Sequence, residues 1–257
     1  MHSTQNSHHP PRARVPAVRH VQPGEPDYPL PDGRWQGWAG GPALFDPQLP
    51  SPPIACIGNP AIMQRPRLSI LCSAHCPGPI AMETYRIARN ALPGGPTVIG
   101  GFHSPMERTV FDLLSTRHVP MVVCPGRRIQ SRSVPAAWAA AIADGRLAVL
   151  SPFAPGRRRV DRGLAGLRNA FVAALADTIF VPYARPGGAV AALVMMLLEM
   201  GRNVYTVQDR DTEGLVVLGA RALCTDAFVT LFRGMEGVEG PETNDPGREG
   251  RDPFILH

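Results

Sequence analysis

The stretch RLSILCSAHCPGPIAMETYRIARNAL, residues 67–92, decides the fold class. A short apolar run at 68–71 leads directly into a turn of small residues at 72–79, and the turn leads into a segment with helical spacing of its apolar side chains. A strand, a small-residue turn and a helix in this order form the phosphate-binding loop of many α/β proteins. Because Cys72, His75 and Cys76 crowd into the same turn, a metal site is the competing interpretation.

The same alternation of strand and helix continues along the chain. Apolar, β-rich runs occupy 97–101, 120–126, 147–153, 177–184 and 203–208, and helical patterns occupy 80–92, 105–115, 135–144, 162–176 and 189–201. Strands that alternate with helices indicate right-handed βαβ units and a parallel sheet. Because runs such as MVVC and TIFV are continuously apolar, both faces of the sheet are expected to be covered. We therefore predict an α/β fold with a Rossmann-like parallel sheet flanked by helices on both faces.

The composition changes at both ends of the chain. Residues 1–42 and 234–257 are rich in Pro, Gly and charged residues without periodicity, and we predict that both segments are disordered. Residues 43–233 are predicted to form a single domain, since a chain of 257 residues with 44% hydrophobic content can bury one sizeable core.

The basic residues exclude some chemistry and favour some partners. All 26 are arginine, so Schiff-base lysines, P-loop lysines and lysine general bases are excluded. A net charge of +5 favours polyanionic partners, although only mildly. The number of cysteines, five, is odd and their spacing is irregular. Such a pattern is typical of a protein in a reducing compartment. With neither a secretory signal nor a long apolar run, we expect a cytoplasmic protein without a membrane span.

The turn after the first strand has three candidate chemistries. A structural metal site needs a second pair of ligands, which the sequence lacks, so we expect no metal. Nucleophilic catalysis by Cys72 or Cys76 needs a histidine and a carboxylate in the right geometry, and Ser73 lies outside a Gly-x-Ser-x-Gly motif, so we assign no catalytic residue. Anion binding needs only groups that this turn contains, because a serine hydroxyl and a helix N-terminus both favour phosphate.

Glycines and arginines extend this anion-binding pattern to the other strand ends. Glycine allows backbone N–H groups to approach a ligand closely, and a guanidinium can bind a phosphate through two hydrogen bonds. Because aromatic residues near the strand ends are few (Phe102, Phe153 and Tyr183), we expect contacts mainly to a phosphate backbone and no cofactor. The candidate anion-binding residues are Ser73, Gly100, Gly101, Arg127, Arg157, Arg158, Arg159, Arg168, Gly187 and Gly188.

The order of these motifs resembles that of the DNA-processing protein A (DprA/Smf) family. The similar segments are FDPQLPSPPIACIGNPAIMQRPRLSILCSA (45–74), TVIGGFHSPME (97–107), PMVVCPGRRI (120–129), LAVLSPFAPG (147–156), RNAFVAALADTIFVPYA (168–184), ARPGGAVAALVMMLLEMGRNVYTVQ (184–208) and EGLVVLGARAL (213–223). The resemblance covers about 43–232 and implies an extended Rossmann-like domain of the lysine-decarboxylase-like nucleotide-binding group. It also implies binding of single-stranded DNA, a homodimer and a RecA-type recombinase partner in natural transformation. The phosphate contacts that it implies are Ser73, Gly101, Arg168 and Asn169.

The sequence departs from the family pattern at two arginines, and two other functions stay open. Ala74 stands where the family has the arginine of Gly-Ser-Arg, and Ala170 replaces the last arginine of Arg-Asn-Arg. One alternative is a phosphoribohydrolase-type nucleotide enzyme, whose Pro-Gly-Gly-x-Gly-Thr-x-x-Glu motif is matched only at 186–188, with Val194 where the acid is expected. The other alternative is a sensor or scaffold domain for a small nucleotide.

Overall fold

The computed structural model describes residues 14–30, 51–153 and 162–233, which contain one nine-stranded sheet. The strands are β1 (Arg19–Val21), β2 (Ile54–Ile57), β3 (Arg67–Ile70), β4 (Thr97–Gly100), β5 (Met121–Val123), β6 (Leu147–Ser151), β7 (Thr178–Phe180), β8 (Val204–Val207) and β9 (Arg221–Leu223). The helices are α1 (Gly78–Arg89), α2 (Pro105–Thr116), α3 (Ala139–Ala143), α4 (Arg162–Leu175), α5 (Ala189–Glu199), α6 (Glu213–Val217) and α7 (Thr225–Arg233).

The strand order is β1-β2-β6-β5-β4-β3-β7-β8-β9. The strands from β6 to β9 in this order are all parallel, whereas β2 pairs antiparallel with both β6 and β1. The predicted Rossmann-like α/β fold is therefore confirmed, with an antiparallel extension at one edge. The pattern did not reveal this extension because β2 is followed by a short 3-10 helix and then by β3, with no α-helix between them.

The direction of the chain reverses at the centre of the sheet. From β3 the chain moves outward through β4 and β5 to β6, and it then returns to place β7 on the other side of β3. The loops that follow β3 and β7 consequently lead into helices on opposite faces. In open α/β sheets such a topological switch point is where ligands bind, outside the carboxyl ends of the strands.

Helices cover both faces of the sheet. The helices α1, α2, α3 and α7 contribute to the core on one face, and α4, α5 and α6 contribute to the core on the other. The second half of α4, residues 171–175, is fully buried, and its alanines let this helix pack closely on the sheet. No helix of the described ranges has the length and apolar character needed to cross a membrane.

The prediction of disorder for residues 1–42 is wrong for residues 14–30. Val21 is fully buried, and β1 pairs with β2 along its length. Arg19 adds ion pairs with Glu25 at 2.7 Å and with Asp27 at 3.3 Å, which hold the turn after β1. The rest of the predicted N-terminal segment, the start of the predicted domain at 43–50 and the tail at 234–257 lie outside the described residues.

Candidate functional site

The loops after β3 and β7 meet at Ser73. The backbone N–H of Ser73 donates to the carbonyl oxygen of Tyr183 at 3.0 Å, and the backbone N–H of Arg185 donates to Oγ of Ser73 at 3.0 Å. Ser73 therefore lies at the switch point. Its hydroxyl accepts a hydrogen bond within the protein and keeps its own proton for donation to an anion.

The two helices that follow these loops begin without side-chain caps. Pro77 and Gly188 occupy the N-cap positions of α1 and α5, and neither first turn contains an acidic residue. In α2, by contrast, Oγ of Ser104 accepts from the N–H of Glu107. Because the first N–H groups of a helix carry partial positive charge, the starts of α1 and α5 favour an anion.

Glu107 connects the loops after β3 and β4 through two hydrogen bonds. Its side chain is buried, with 3% of the residue exposed. One carboxylate oxygen accepts from the backbone N–H of Cys72 and the other from that of His103, both at 2.9 Å. The sequence showed Glu107 only as an acid within a family motif, because a helical pattern does not reveal which buried side chain reaches across to a neighbouring strand end.

Arg168 is the buried cation of the site. Only 6% of the residue is exposed, and Nε and Nη2 donate to Oδ1 of Asn169 at 3.1 and 2.8 Å. Its Nη1 has no hydrogen-bond partner within the described part of the chain. Burial lowers the pKa of the guanidinium, and the nearby charge of Glu107 opposes that shift.

Gly101 and Gly100 make room for the side chains around Arg168. A Cβ added to Gly101 would lie 2.5 Å from Nε of Arg168, so a larger residue would displace the guanidinium. A Cβ added to Gly100 would lie 3.0 Å from the ring of Phe102. Phe102 itself has a φ of 50°, in the left-handed region that costs a non-glycine residue about 1–2 kcal/mol. Backbone strain of this kind concentrates at functional sites.

His103 closes the turn after β4. Its Nδ1 contacts the carbonyl oxygen of Gly101 at 2.5 Å, which requires the proton to lie on Nδ1. Partial burial and then the positive charge of Arg168 lower the pKa of the imidazole, which favours its neutral form.

The cysteines of the opening stretch pack against each other. A hydrogen bond between the two thiols and burial both raise the pKa of Cys72, while the same hydrogen bond lowers the pKa of Cys76. Cys72 lies in the hydrophobic core, with Cys76 packed against it. Among the described residues, no group of three or more His, Cys, Asp or Glu side chains could hold a metal ion.

Exposed arginines follow two of the strands at the carboxyl edge. Arg127 and Arg128 follow β5, and Arg185 follows β7. Within the described ranges, none of these three side chains, nor that of Arg168, forms an ion pair with an acid. The carboxyl edge of the sheet therefore carries positive charge that its acidic neighbours do not neutralise.

The predicted site residues are thus gathered at one edge, with one exception. Gly187, at φ +67°, shapes the turn before α5, and the N–H of Gly188 donates to the carbonyl oxygen of Arg185. Gly101, Arg168 and Asn169 form one cluster, and Gly100 lies directly before it. The exception is the run Arg157, Arg158 and Arg159, which lies outside the described residues.

A cavity that the sequence did not predict opens beside the cluster. It has a volume of about 380 Å³, and its walls include Phe102, Phe111, Trp138, Arg108 and Arg127. A more open groove of about 590 Å³ shares Ile129 with it and is lined in part by His20, Arg128 and Arg132. The sequence could not reveal the cavity because its walls come from α2, the end of β4 and the segment after β5.

The sheet order and its switch point define a Rossmann-like α/β protein with a positively charged carboxyl edge. Among solved structures, DNA processing protein A from Streptococcus pneumoniae is similar, with a TM-score of 0.61, 16% identity, and coverage of 82% of this chain and 73% of that one. DNA processing protein A from Helicobacter pylori, which binds single-stranded DNA, has a TM-score of 0.60 and 14% identity, over 83% of this chain and 94% of that one. The resemblance predicted from the motif order is therefore confirmed at the level of the fold.

Comparison of the sequence with protein-family models and with curated proteins gives no match.

Proposed function

We propose that this protein binds single-stranded DNA along the carboxyl edge of its sheet, with phosphates seated at the switch point between β3 and β7. The observation that carries the proposal is the positive charge at this edge that forms no ion pair, together with the uncapped N-termini of α1 and α5, of which the second contacts Arg185. A phosphate placed there gains hydrogen bonds from a helix N-terminus and the attraction of the guanidinium charges.

Arg168 supports the proposal through its burial. Burying a cation that forms no ion pair is costly, and an N–H without an acceptor adds to that cost. Oδ1 of Asn169 accepts two of the guanidinium hydrogen bonds but carries no charge. Glu107 is the nearest acid to act on Arg168, but its carboxylate accepts hydrogen bonds from Cys72 and His103 and none from the guanidinium. A phosphate bound at the edge would add negative charge near Arg168, so the cost of burying Arg168 in the free protein favours binding.

The exposed arginines extend the basic surface along which a single strand of DNA can bind. Arg127 lies on the wall of the aromatic cavity, and Arg128 and Arg132 line the adjoining groove together with His20. Successive phosphates of a single strand can follow such a basic path, and this contact does not depend on base sequence.

The two alanines at family arginine positions differ in their surroundings. Ala74 is exposed, so an arginine there would reach solvent and a bound phosphate. Ala170 is buried in the core, where an arginine would not fit without rearrangement. Each charged hydrogen bond contributes about 1.5–3 kcal/mol, so we expect weaker binding than an intact set of family arginines would give.

A matched pair of arginine substitutions tests the site. Arg127→Gln removes a positive charge at the carboxyl edge, and Arg89→Gln removes one from the last turn of α1, at the opposite edge. We expect Arg127→Gln to weaken binding of a labelled oligonucleotide about tenfold in fluorescence anisotropy, and Arg89→Gln to leave it unchanged. Equal losses in both variants would indicate a general charge effect and would contradict the proposed location.

The resemblance extends the proposal to assembly and cellular role. The protein is then a cytoplasmic homodimer that cooperates with a RecA-type recombinase during DNA uptake. Supporting the dimer, α6 and the residue after it expose three apolar side chains in succession, Val216, Val217 and Leu218, which are 43%, 86% and 37% exposed.

The two alternatives have less support. Val194, at the position where a phosphoribohydrolase-type enzyme would carry its acid, is fully buried in the core. A nucleotide sensor would be distinguished by thermal stabilisation with mononucleotides but not with oligonucleotides.

A further inference from the structure

The turn after β3 contains two thiols that the proposed function does not use. Cys72 is buried, with 5% of the residue exposed, whereas Cys76 is partly exposed just before α1. The two side chains form a hydrogen bond, and Cys76 packs against the hydrophobic core that contains Cys72. All five cysteines of the chain are free thiols, so both sulfurs of this pair can react.

The other three cysteines lie on other parts of the sheet. Cys124 follows β5 and Cys224 follows β9, and at least one strand separates each of them from β3. Because neighbouring strands are about 4.8 Å apart, these two residues are roughly 10 Å or more from the turn, beyond the reach of a disulfide. Cys56 lies within β2, on the antiparallel extension. Within one chain, the disulfide partner of Cys72 is therefore Cys76.

The two thiols of the pair differ in reactivity. Their shared hydrogen bond lowers the pKa of Cys76, and the same hydrogen bond together with burial raises the pKa of Cys72. The thiolate is the nucleophile in thiol–disulfide exchange. Cys76, which is also the more exposed of the two, is therefore the residue that attacks an external disulfide, and the protonated, sheltered Cys72 is placed to react second.

The backbone around the pair allows a bond between the two sulfurs. The N–H of Cys72 donates to the carboxylate of Glu107 at 2.9 Å, which holds this residue in place. Ala74 and His75, which lead from the end of β3 to Cys76, are exposed. The turn can therefore adjust to the geometry of a disulfide without displacing side chains of the core.

We propose that Cys72 and Cys76 form a reversible disulfide, with a low-molecular-weight disulfide as the oxidant. In the first step the thiolate of Cys76 attacks one sulfur of the oxidant, whose S–S bond breaks and releases one thiolate. In the second step the sulfur of Cys72 attacks that of Cys76, and the other half of the oxidant leaves with the proton of Cys72 as a thiol. Each cysteine sulfur loses one electron, and the oxidant gains two.

This modification site goes beyond the proposed function and does not depend on it. The disulfide closes a ring that contains Ser73, whose Oγ accepts from the N–H of Arg185. Oxidation of the pair therefore restrains the turn at the switch point, and reduction releases it.

Peptide mapping of the full-length protein tests the disulfide. The protein is incubated with oxidised glutathione, its remaining thiols are alkylated in denaturant, and it is digested with trypsin. Residues 68–86 form one tryptic peptide, which contains both members of the pair and no other cysteine. We expect this peptide to lose two hydrogen atoms and to escape alkylation, and we expect dithiothreitol to restore both alkylation sites.

Three substitutions separate the two steps. Cys72→Ala should stop the reaction after the first step and leave a glutathione adduct on Cys76. Cys76→Ala should leave Cys72 unmodified, because burial shields its thiol from the reagent. Cys224→Ala, which removes another partly exposed cysteine, should leave the disulfide between Cys72 and Cys76 unchanged. Urea unfolding checks that each variant is folded.

Amide hydrogen exchange measures the effect on the turn. We expect residues 73–76 to exchange more slowly in the oxidised protein than in the reduced protein, and we expect no such difference in Cys76→Ala.

The outcomes are independent of DNA binding, since no DNA is present. Alkylation of both thiols in peptide 68–86 after oxidation would overturn the proposal and leave the cysteines as small side chains of the core. A stable glutathione adduct on Cys76 beside a free Cys72 in the unsubstituted protein would overturn it as well.

Discussion

At the scale of single residues, the site depends on a glycine, Gly101, at the end of β4. Gly101 has no Cβ, and this absence lets the guanidinium of Arg168 lie against the end of β4. The sequence indicated that the glycines after β4 matter, because glycine at a strand end permits close approach of a ligand. In the structure the space beside Gly101 is filled by the side chain of Arg168. This contact could not be predicted because the two residues are distant in sequence.

Gly101→Ala is the corresponding prediction. The added Cβ would lie 2.5 Å from Nε and 2.8 Å from Cδ of Arg168, so the arginine must move. Overpacking of this kind costs about 1–3 kcal/mol of unfolding free energy. We also expect binding of single-stranded DNA to weaken about tenfold or more, measured by anisotropy, because the charge of Arg168 is displaced from the edge.

Gly166→Ala is the matched control in the same helix as Arg168. A Cβ there has nothing within 4 Å, so the substitution should stabilise α4 by about 0.5–1 kcal/mol and leave DNA binding unchanged. If Gly101→Ala were as stable and as active as the control, the contact between Gly101 and Arg168 would not matter to the site.

At the scale of elements, continuous apolar strands and helical periodicity predicted most of the sheet. The strands β3 to β8 were recognisable because each is buried on both sides and precedes a helix. The strands β1 and β2 were not, because prolines surround them and β2 leads into β3 without an α-helix between them. Trp138 was hidden for a related reason: it falls in a segment predicted as a helix from 135 to 144, of which the α-helical part begins only at Ala139.

The apolar surface of α6 gives a prediction about assembly. Val217 is 86% exposed, so Val217→Asp should not affect folding of the monomer. If a second copy covers α6, the charge introduced by Val217→Asp shifts the protein from dimer to monomer, because burying an unpaired carboxylate is costly. Light scattering after size exclusion measures the mass.

Met82→Asp is the control for α6. Met82 is 56% exposed on α1, which packs on the other face of the sheet. Loss of the dimer in both variants, or a monomeric unsubstituted protein at every concentration, would count against an interface through α6.

At the scale of the whole molecule, the topology makes the site. The same parallel sheet brings the ends of β3, β4, β5 and β7 to one edge, and the loops after β3 and β7 meet at the switch point. Glu107 hydrogen-bonds to the loops after β3 and β4, and Ser73 connects the loop after β3 to the loop after β7. The edge is therefore a single connected surface. The positive charge of this edge results from where the fold places the arginines, since the net charge of the whole chain is only +5.

The dependence of single-stranded DNA affinity on salt tests this account most directly. Each phosphate neutralised on a single strand contributes about −0.7 to the slope of log K against log salt concentration. We predict a slope of about −2 or steeper, corresponding to about three phosphates along the edge, and a slope less steep by about 0.7 in Arg127→Gln. Absence of binding at low salt, or an affinity that salt does not change, would contradict the claim that this edge binds a phosphate backbone.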